Sequence, residues 1–217
     1  MSAPKTEDQS SFFWRKLHSL SGIIPIGVFL IEHFWSNSYV LVSPEKYDAV
    51  GQELQTLPFR PIIEAVGIWI PLLFHAGYGF YVWYQGKSNV FEYPWMHNWM
   101  YTLQRWTGLV AFVFIGWHIY TARILTEGRS NFVSVHADMS RNLYVLFYLV
   151  GVLAASFHFG NGIWNFLCKW GLAATVRAQR AAAYFGAVVA ISFTLAGMMI
   201  VYSARFDFHP FEKYVQK

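Results

Sequence analysis

NLYVLFYLVGVLAASFHFGNGIWNFLC, residues 142–168, is a run of 27 residues without a single Asp, Glu, Lys or Arg, closed by Arg141 and Lys169. A hydrocarbon core about 30 Å thick is crossed by roughly 20 helical residues rising about 1.5 Å each, so this run is long enough to span a bilayer. Outward from it the same absence of charge recurs, over 22 residues between Glu64 and Lys87, 17 between Arg105 and Arg123, and 24 between Arg180 and Arg205. The 17-residue interval reaches spanning length with its Trp and Tyr flanks. A fifth interval, from Leu17 to about Val42, is broken only by Glu32 and His33 and ends in a Trp35/Tyr39 aromatic belt. One such interval would also suit a buried helix of a soluble protein. Five in series, with ten Trp mostly near segment ends, argue for a membrane bundle. The expected fold is all-α and integral to the membrane: one domain over residues 1–217, an antiparallel bundle of five transmembrane helices near 17–42, 61–85, 101–125, 141–168 and 181–205.

Composition agrees and removes several functions. Charged residues are 13% and apolar residues 55% of the 217, and mean hydropathy is +0.31, which excludes disorder. Cys168 is the only cysteine, so the chain can carry no internal disulfide, no CxxCH haem attachment, no cysteine-ligated iron–sulfur cluster and no Cys-rich zinc site. Net charge is +4, but the basic residues are scattered between apolar blocks and form no patch, so they read as membrane-flanking charge and nucleic acid is not an expected partner. Arg15 and Lys16 before an apolar run resemble the start of a signal peptide. The run continues too far and lacks a small-residue cleavage site, which favours an uncleaved first span. The breakers fall in short connections: Ser43-Pro44 to Glu53 and Leu57-Pro58-Phe59-Arg60-Pro61, then Gln85 to Met100 through Tyr93-Pro94, Thr126 to Ser140, and Gly171 to Arg180. No soluble domain fits in any of them.

His33, His75, His118 and His158 recur at gaps of 42, 43 and 40 residues, one in each of the first four predicted helices. Each stands about 15 residues, or about 22 Å, into its helix. Because consecutive helices run in opposite directions, His33 and His118 fall at one depth and His75 and His158 at another, about 15 Å away in a 30 Å core. An intramembrane imidazole is costly and marks function by default, although a single one can serve helix packing. Four in two opposed pairs suit a planar, largely apolar cofactor held from both faces by neutral imidazoles, as bis-histidine haem is. Zinc fits less well, since two histidines per layer leave its tetrahedron half filled. Gly22, Gly27, Gly77, Gly79, Gly116, Gly160 and Gly162 lie near these histidines, where missing side chains would admit a flat ring or simply let helices pack closely. His97, His136 and His209 fall in predicted connections or the tail, where a solvated histidine is the default. His18 and Ser19, level with the His75/His158 layer, could donate to anionic haem propionates. So could Lys169, eleven residues after His158 on the same helix face; a lysine snorkelling at a helix end accounts for it equally well.

Several of these residues carry a family resemblance. Arg15-Lys16-Leu17-His18-Ser19 with Gly22, Pro25, Gly27 and His33; Leu57-Pro58-Phe59-Arg60 with Glu64; Pro71-Leu72 with His75-Ala76-Gly77-Tyr78-Gly79; Leu103-Gln104-Arg105 with Thr107-Gly108; Trp117-His118; and Phe157-His158-Phe159 with Asn161-Gly162 and Trp164 resemble the dihaem cytochrome b membrane anchor of succinate dehydrogenase and fumarate reductase, in its single-subunit, five-helix form. The resemblance runs from about residue 11 to 205. It implies two haem b groups (protohaem IX), with His75 and His158 as axial iron ligands of the inner one and His33 and His118 of the outer one. It also implies partner subunits bearing a flavin and iron–sulfur clusters, a membrane quinone, menaquinone in the related enzymes, as electron acceptor, and a bacterial cytoplasmic membrane with the N-terminus on the cytoplasmic side. Counting Lys and Arg does not decide orientation, with eight on each side.

The implied activity is electron relay from succinate, oxidised on another subunit, through two haems to quinone. Fumarate reduction is the same path reversed. Some fumarate-reducing relatives have a glutamate two residues before the fourth-helix histidine. Ser156 stands there in this chain, which favours succinate oxidation. Glu64 either handles a quinone proton or is a carboxylate stabilised by a helix N-terminus. Glu32 projects about 100° from His33, towards another helix or the interface. Two readings compete: a cytochrome b anchor for a hydrogenase or formate dehydrogenase, and a haem-free transporter or scaffold using its histidines for proton transfer.

Overall fold

The computed structural model describes residues 7–214. Helix α1 (Glu7–Ile23) and α2 (Pro25–Asn37) form the first span, and a 3₁₀ turn, Ser38–Leu41, extends it. The two helices meet at Ile24, where Pro25 supplies no N–H and stands at the first position of α2. Helix α3 (Pro44–Gln55) lies in the first connection. Helices α4 (Arg60–Glu64) and α5 (Ile70–Gln85) form the second span, joined by a π-helical turn at Ala65–Trp69. Helix α6 (Met96–Ile119) and a second π turn, Tyr120–Ile124, form the third. After α7 (Phe132–Met139) come α8 (Asn142–Lys169) and α9 (Val176–Phe206), the fourth and fifth spans. Among the described residues there are thus five spans long and apolar enough to cross a membrane.

Several boundaries differ from the sequence reading. The first helix begins ten residues before Leu17, the third at Met96 and the fifth at Val176. Two predicted connections hold helices whose start signals are local. In the first, Ser43 Oγ accepts from the Lys46 N–H (3.2 Å) and Pro44 opens α3. In the third, Asn131 and Ser134 form a reciprocal capping box at α7. Polar composition hid both.

The surface and interior are inverted relative to a soluble bundle. Ile70, Leu73, Tyr184, Val188 and Ile191 are all more than half exposed, while Ser156 and Ser203 are 1% and 0% exposed. None of the most apolar window of the second span is buried but 28% of that of the fourth is, which places α8 at the centre and α4–α5 at the periphery. Helix α8 packs on α9, α6 and α1, and α5 packs on α1. The α8–α9 seam depends on two glycines. A Cβ on Gly160 would collide with the Gly186 carbonyl oxygen, and one on Gly186 with that of Gly160.

The end of the bundle reached by α2 is closed by a small apolar core of Val40, Leu41, Phe132, Met139, Val201 and Ala204. Ser203 Oγ donates to Val40 O (3.1 Å) and Phe208 O (2.6 Å), tying α9 to the 3₁₀ turn. His136 and His209, read from sequence as solvated, are structural here. Each approaches a main-chain carbonyl through Nδ1 at 2.7 Å, Ala204 O and Val40 O respectively, and His209 Nε2 pairs with Asp207 Oδ1 at 2.8 Å. At the opposite end, Arg105 of α6 donates to the carbonyls of Val82 (3.3 Å), Trp83 and Gly86 (2.9 Å), covering the open C-terminus of α5.

Candidate functional site: two imidazole pairs between antiparallel spans

The bundle brings the four span histidines together in twos. His33 of α2 and His118 of α6 have ring centres 5.6 Å apart, and His75 of α5 and His158 of α8 have ring centres 6.2 Å apart. These are the partners that antiparallel depth gives. The rings of each pair are strongly inclined, at 73° and 89°. Two imidazoles, each with a nitrogen about 2 Å from one metal ion between them, would have ring centres about 6 Å apart.

The second nitrogens explain why these rings stand as they do. In the pair nearer the N-terminus of α1, which we term inner, His75 Nδ1 approaches His18 O at 3.0 Å and Ser21 Oγ at 3.3 Å. His158 Nδ1 approaches Gln104 O at 3.0 Å. A carbonyl can only accept, so both Nδ1 atoms carry the proton and Nε2 keeps its lone pair in the neutral ring. Gln104 is itself fixed: its Nε2 donates to His158 O (3.0 Å), and its Oε1 accepts from Asn161 Nδ2 (2.7 Å). In the outer pair, His118 Nδ1 meets the Tyr148 hydroxyl at 3.0 Å, and His33 Nδ1 lies 3.4 Å from Asn37 Nδ2. Tyr47 of α3 donates to Asn37 Oδ1 at 3.4 Å; burial and the neighbouring Asp48 push its phenol up to about 12, so it remains a donor. Among the described residues, no Nε2 of the four makes a hydrogen bond with the protein. At the inner pair, orienting each imidazole through a protonated second nitrogen is the arrangement metal-binding histidines need. Nor do the described residues bring together three His, Cys, Asp or Glu groups that could hold a metal ion.

Two close approaches shape the inner pair. A Cβ on Gly22 would lie 2.5 Å from His75 Cε1, and one on Gly108 would lie 2.8 Å from His158 Cε1. Gly22 stands near His33 in the sequence, whereas Gly108 carries a signal only through the family pattern. Gly77 and Gly116 face nothing within 4 Å, and Gly160 serves the α8–α9 seam. His18 stacks on His75 at 4.2 Å and 11°. The Lys169 carbonyl accepts from Lys16 Nζ (2.8 Å). Ser19 makes no side-chain hydrogen bond among the described residues; Ser21, one turn after His18, is the hydroxyl that reaches the site. His97 packs against Trp164 at 5.3 Å, beside a cleft also lined by Tyr101 and Cys168. Glu64 is ion-paired on both oxygens, at 2.7 Å to Arg60 and 2.7 Å to Arg123, which ties the second span to the π turn of the third.

Residues 87–198 match the family model described as the succinate dehydrogenase/fumarate reductase transmembrane subunit. The chain is also 36% identical over 194 residues to the succinate dehydrogenase cytochrome b558 subunit of Bacillus subtilis (strain 168), an alignment covering 88% of this chain and 96% of that one. The chain belongs to this transmembrane subunit family. It is a multi-pass membrane protein of the succinate dehydrogenase type, a membrane anchor within such a complex. That membership sets aside the hydrogenase, formate dehydrogenase and transporter readings. The hydrogen bonds give the motif residues physical roles: Gln104 and Arg105 hold His158 and the end of α5, and Asn161 holds Gln104.

Proposed function

We propose that this chain binds two haem b groups, each between two imidazoles, and carries electrons across the bundle between an iron–sulfur subunit and a membrane quinone. His75 and His158 would hold the inner haem, and His33 and His118 the outer one. The observation that carries this reading is the pairing itself: two facing pairs of imidazoles from antiparallel spans, with Nδ1 turned to the protein and Nε2 unengaged. Haem bound there supplies one-electron carriage. The protein supplies ligands of fixed tautomer at the inner pair, close backbone approach at Gly22 and Gly108, and exclusion of water by the apolar spans. His18, stacked on His75, and Lys169, at the end of the helix that carries His158, suit its anionic propionates.

The proposed partners are a flavoprotein subunit and an iron–sulfur subunit, a reading supported by membership of the succinate dehydrogenase transmembrane subunit family. Charge supports the inner end as their docking face. The segments on that side carry eight Lys/Arg against three Asp/Glu, whereas those on the other side carry eight of each. An excess of one sign steers an acidic partner surface. This end faces the cytoplasm of a bacterium in the proposed orientation. Ser156, 1% exposed where some fumarate-reducing relatives have glutamate, supports succinate oxidation, and menaquinone as acceptor rests on the family resemblance.

Pyridine haemochrome analysis of the purified complex, with succinate added before dithionite, tests this reading. Two protohaems per chain with at least one reduced by succinate is the expected result. A chain without haem, or haem reduced only by dithionite, would refute it.

A further inference from the structure

The two imidazole pairs are held in different ways. Both inner imidazoles turn Nδ1 to main-chain carbonyls, His18 O and Gln104 O, which no side-chain substitution removes. At the outer pair, the strongest Nδ1 contact is a side chain, the Tyr148 hydroxyl at 3.0 Å from His118, while His33 has only the 3.4 Å approach of Asn37. Tyr148 is rigidly placed. Tyr144 stacks on it at 5.6 Å, and Phe114 meets it edge-on at 5.2 Å while lying parallel to His118 at 5.9 Å. Gly151, three residues further along α8, leaves the space that the Phe114 ring fills.

We propose that Tyr148 is the positioning residue of the outer pair, fixing the Nδ1 proton and ring plane of His118 and, through them, setting the redox potential of the outer haem independently of the inner one. The inference rests on the haem reading above. With Nε2 turned to iron, His118 must donate its Nδ1 proton to the phenol oxygen. An acceptor at Nδ1 raises the basicity of the ligand and favours oxidised iron. Removing it therefore favours the reduced state of the outer haem.

The test is a redox titration of both optical components in the purified complex, together with low-temperature EPR of the ferric haems, for Tyr148→Phe. The outer component is the one missing in His118→Ala. Both haems should be retained, and the reduced-to-oxidised ratio of the outer one at fixed potential should rise several-fold, up to about tenfold, equivalent to about 59 mV for one electron. The inner component should stay in place. Tyr144→Phe, whose hydroxyl accepts from Trp117 Nε1 (3.0 Å), should move neither. If Tyr148→Phe loses the outer haem altogether, Tyr148→Gln decides, its amide oxygen offering Nδ1 an acceptor in place of the phenol, with the outer haem retained and a smaller rise of that component alone as the expected result. An unmoved outer potential, or equal movement of both components, would overturn the proposal. Absence of haem from the unmodified complex would instead overturn the haem reading.

Discussion

Replacing Gly22 by alanine tests the inner site through a single methyl group. Its Cβ would stand 2.5 Å from His75 Cε1, 2.9 Å from Nδ1 and 3.3 Å from Nε2. Carbon atoms in ordinary contact stay about 3.5–4.0 Å apart, so the ring must retreat by about 1 Å. His75 is stacked on His18 at 4.2 Å and bonded through Nδ1 to His18 O at 3.0 Å. Retreat by about 1 Å takes that bond outside hydrogen-bonding range. Overpacking of this kind costs about 1–3 kcal/mol, and the lost hydrogen bond about 1 kcal/mol. The sum of about 2–4 kcal/mol corresponds to a roughly 30- to 1,000-fold loss of affinity for whatever the pair holds. The assay is haem content with optical difference spectra of the purified complex. Gly22→Ala should deplete the component that His75→Ala removes and spare the other, whereas Gly77→Ala, where a Cβ meets nothing within 4 Å, should spare both. Full occupancy of both components in Gly22→Ala, with unchanged melting, would refute the reasoning.

Further predictions follow from other contacts. Gly108→Ala, whose Cβ would lie 2.8 Å from His158 Cε1, should deplete the same component as Gly22→Ala, read by the same spectra. Glu64→Gln removes the anion between Arg60 and Arg123; the side chains are 20–39% exposed, so the cost should be about 1–2 kcal/mol, seen as a lower melting temperature of the purified complex with haem content retained. Gly160→Val places branched bulk against the Gly186 carbonyl, which cannot move aside; the α8–α9 seam should open and the amount of assembled complex in membranes fall sharply. Asp48→Ala strips the acceptor of the Phe132 N–H (2.7 Å) at the start of α7 and should cost about 0.5–2 kcal/mol in thermal stability without moving either haem spectrum.

What could be read in the sequence was what depends on periodicity and length. Uncharged intervals gave the five spans, and counting residues into antiparallel helices gave His33 beside His118 and His75 beside His158. The break at Ile24 had its signal in Pro25. The short helices α3 and α7 also had theirs, in Ser43-Pro44 and Asn131/Ser134, but these stood inside polar stretches too short to show a span. Contacts made by tertiary juxtaposition carried no such signal. Tyr148 lies 30 residues from His118, Gln104 54 from His158, and Arg123 59 from Glu64. Ser21 reaches His75 because α1 packs on α5, a relation that hydropathy does not encode. For the same reason His136 and His209, in sequence indistinguishable from solvated histidines, prove to be fasteners of the outer cap.

The central claim is that the four span histidines act as two pairs on two haems. It is tested most directly by protohaem per chain and difference spectra of the purified complex carrying His33→Ala, His75→Ala, His118→Ala or His158→Ala singly. The account predicts two protohaems per chain in the unmodified complex, one spectral component lost on replacing either His33 or His118, and the other on replacing either His75 or His158. Loss of the same component from His33→Ala and His75→Ala, or four variants with unaltered spectra, would contradict it.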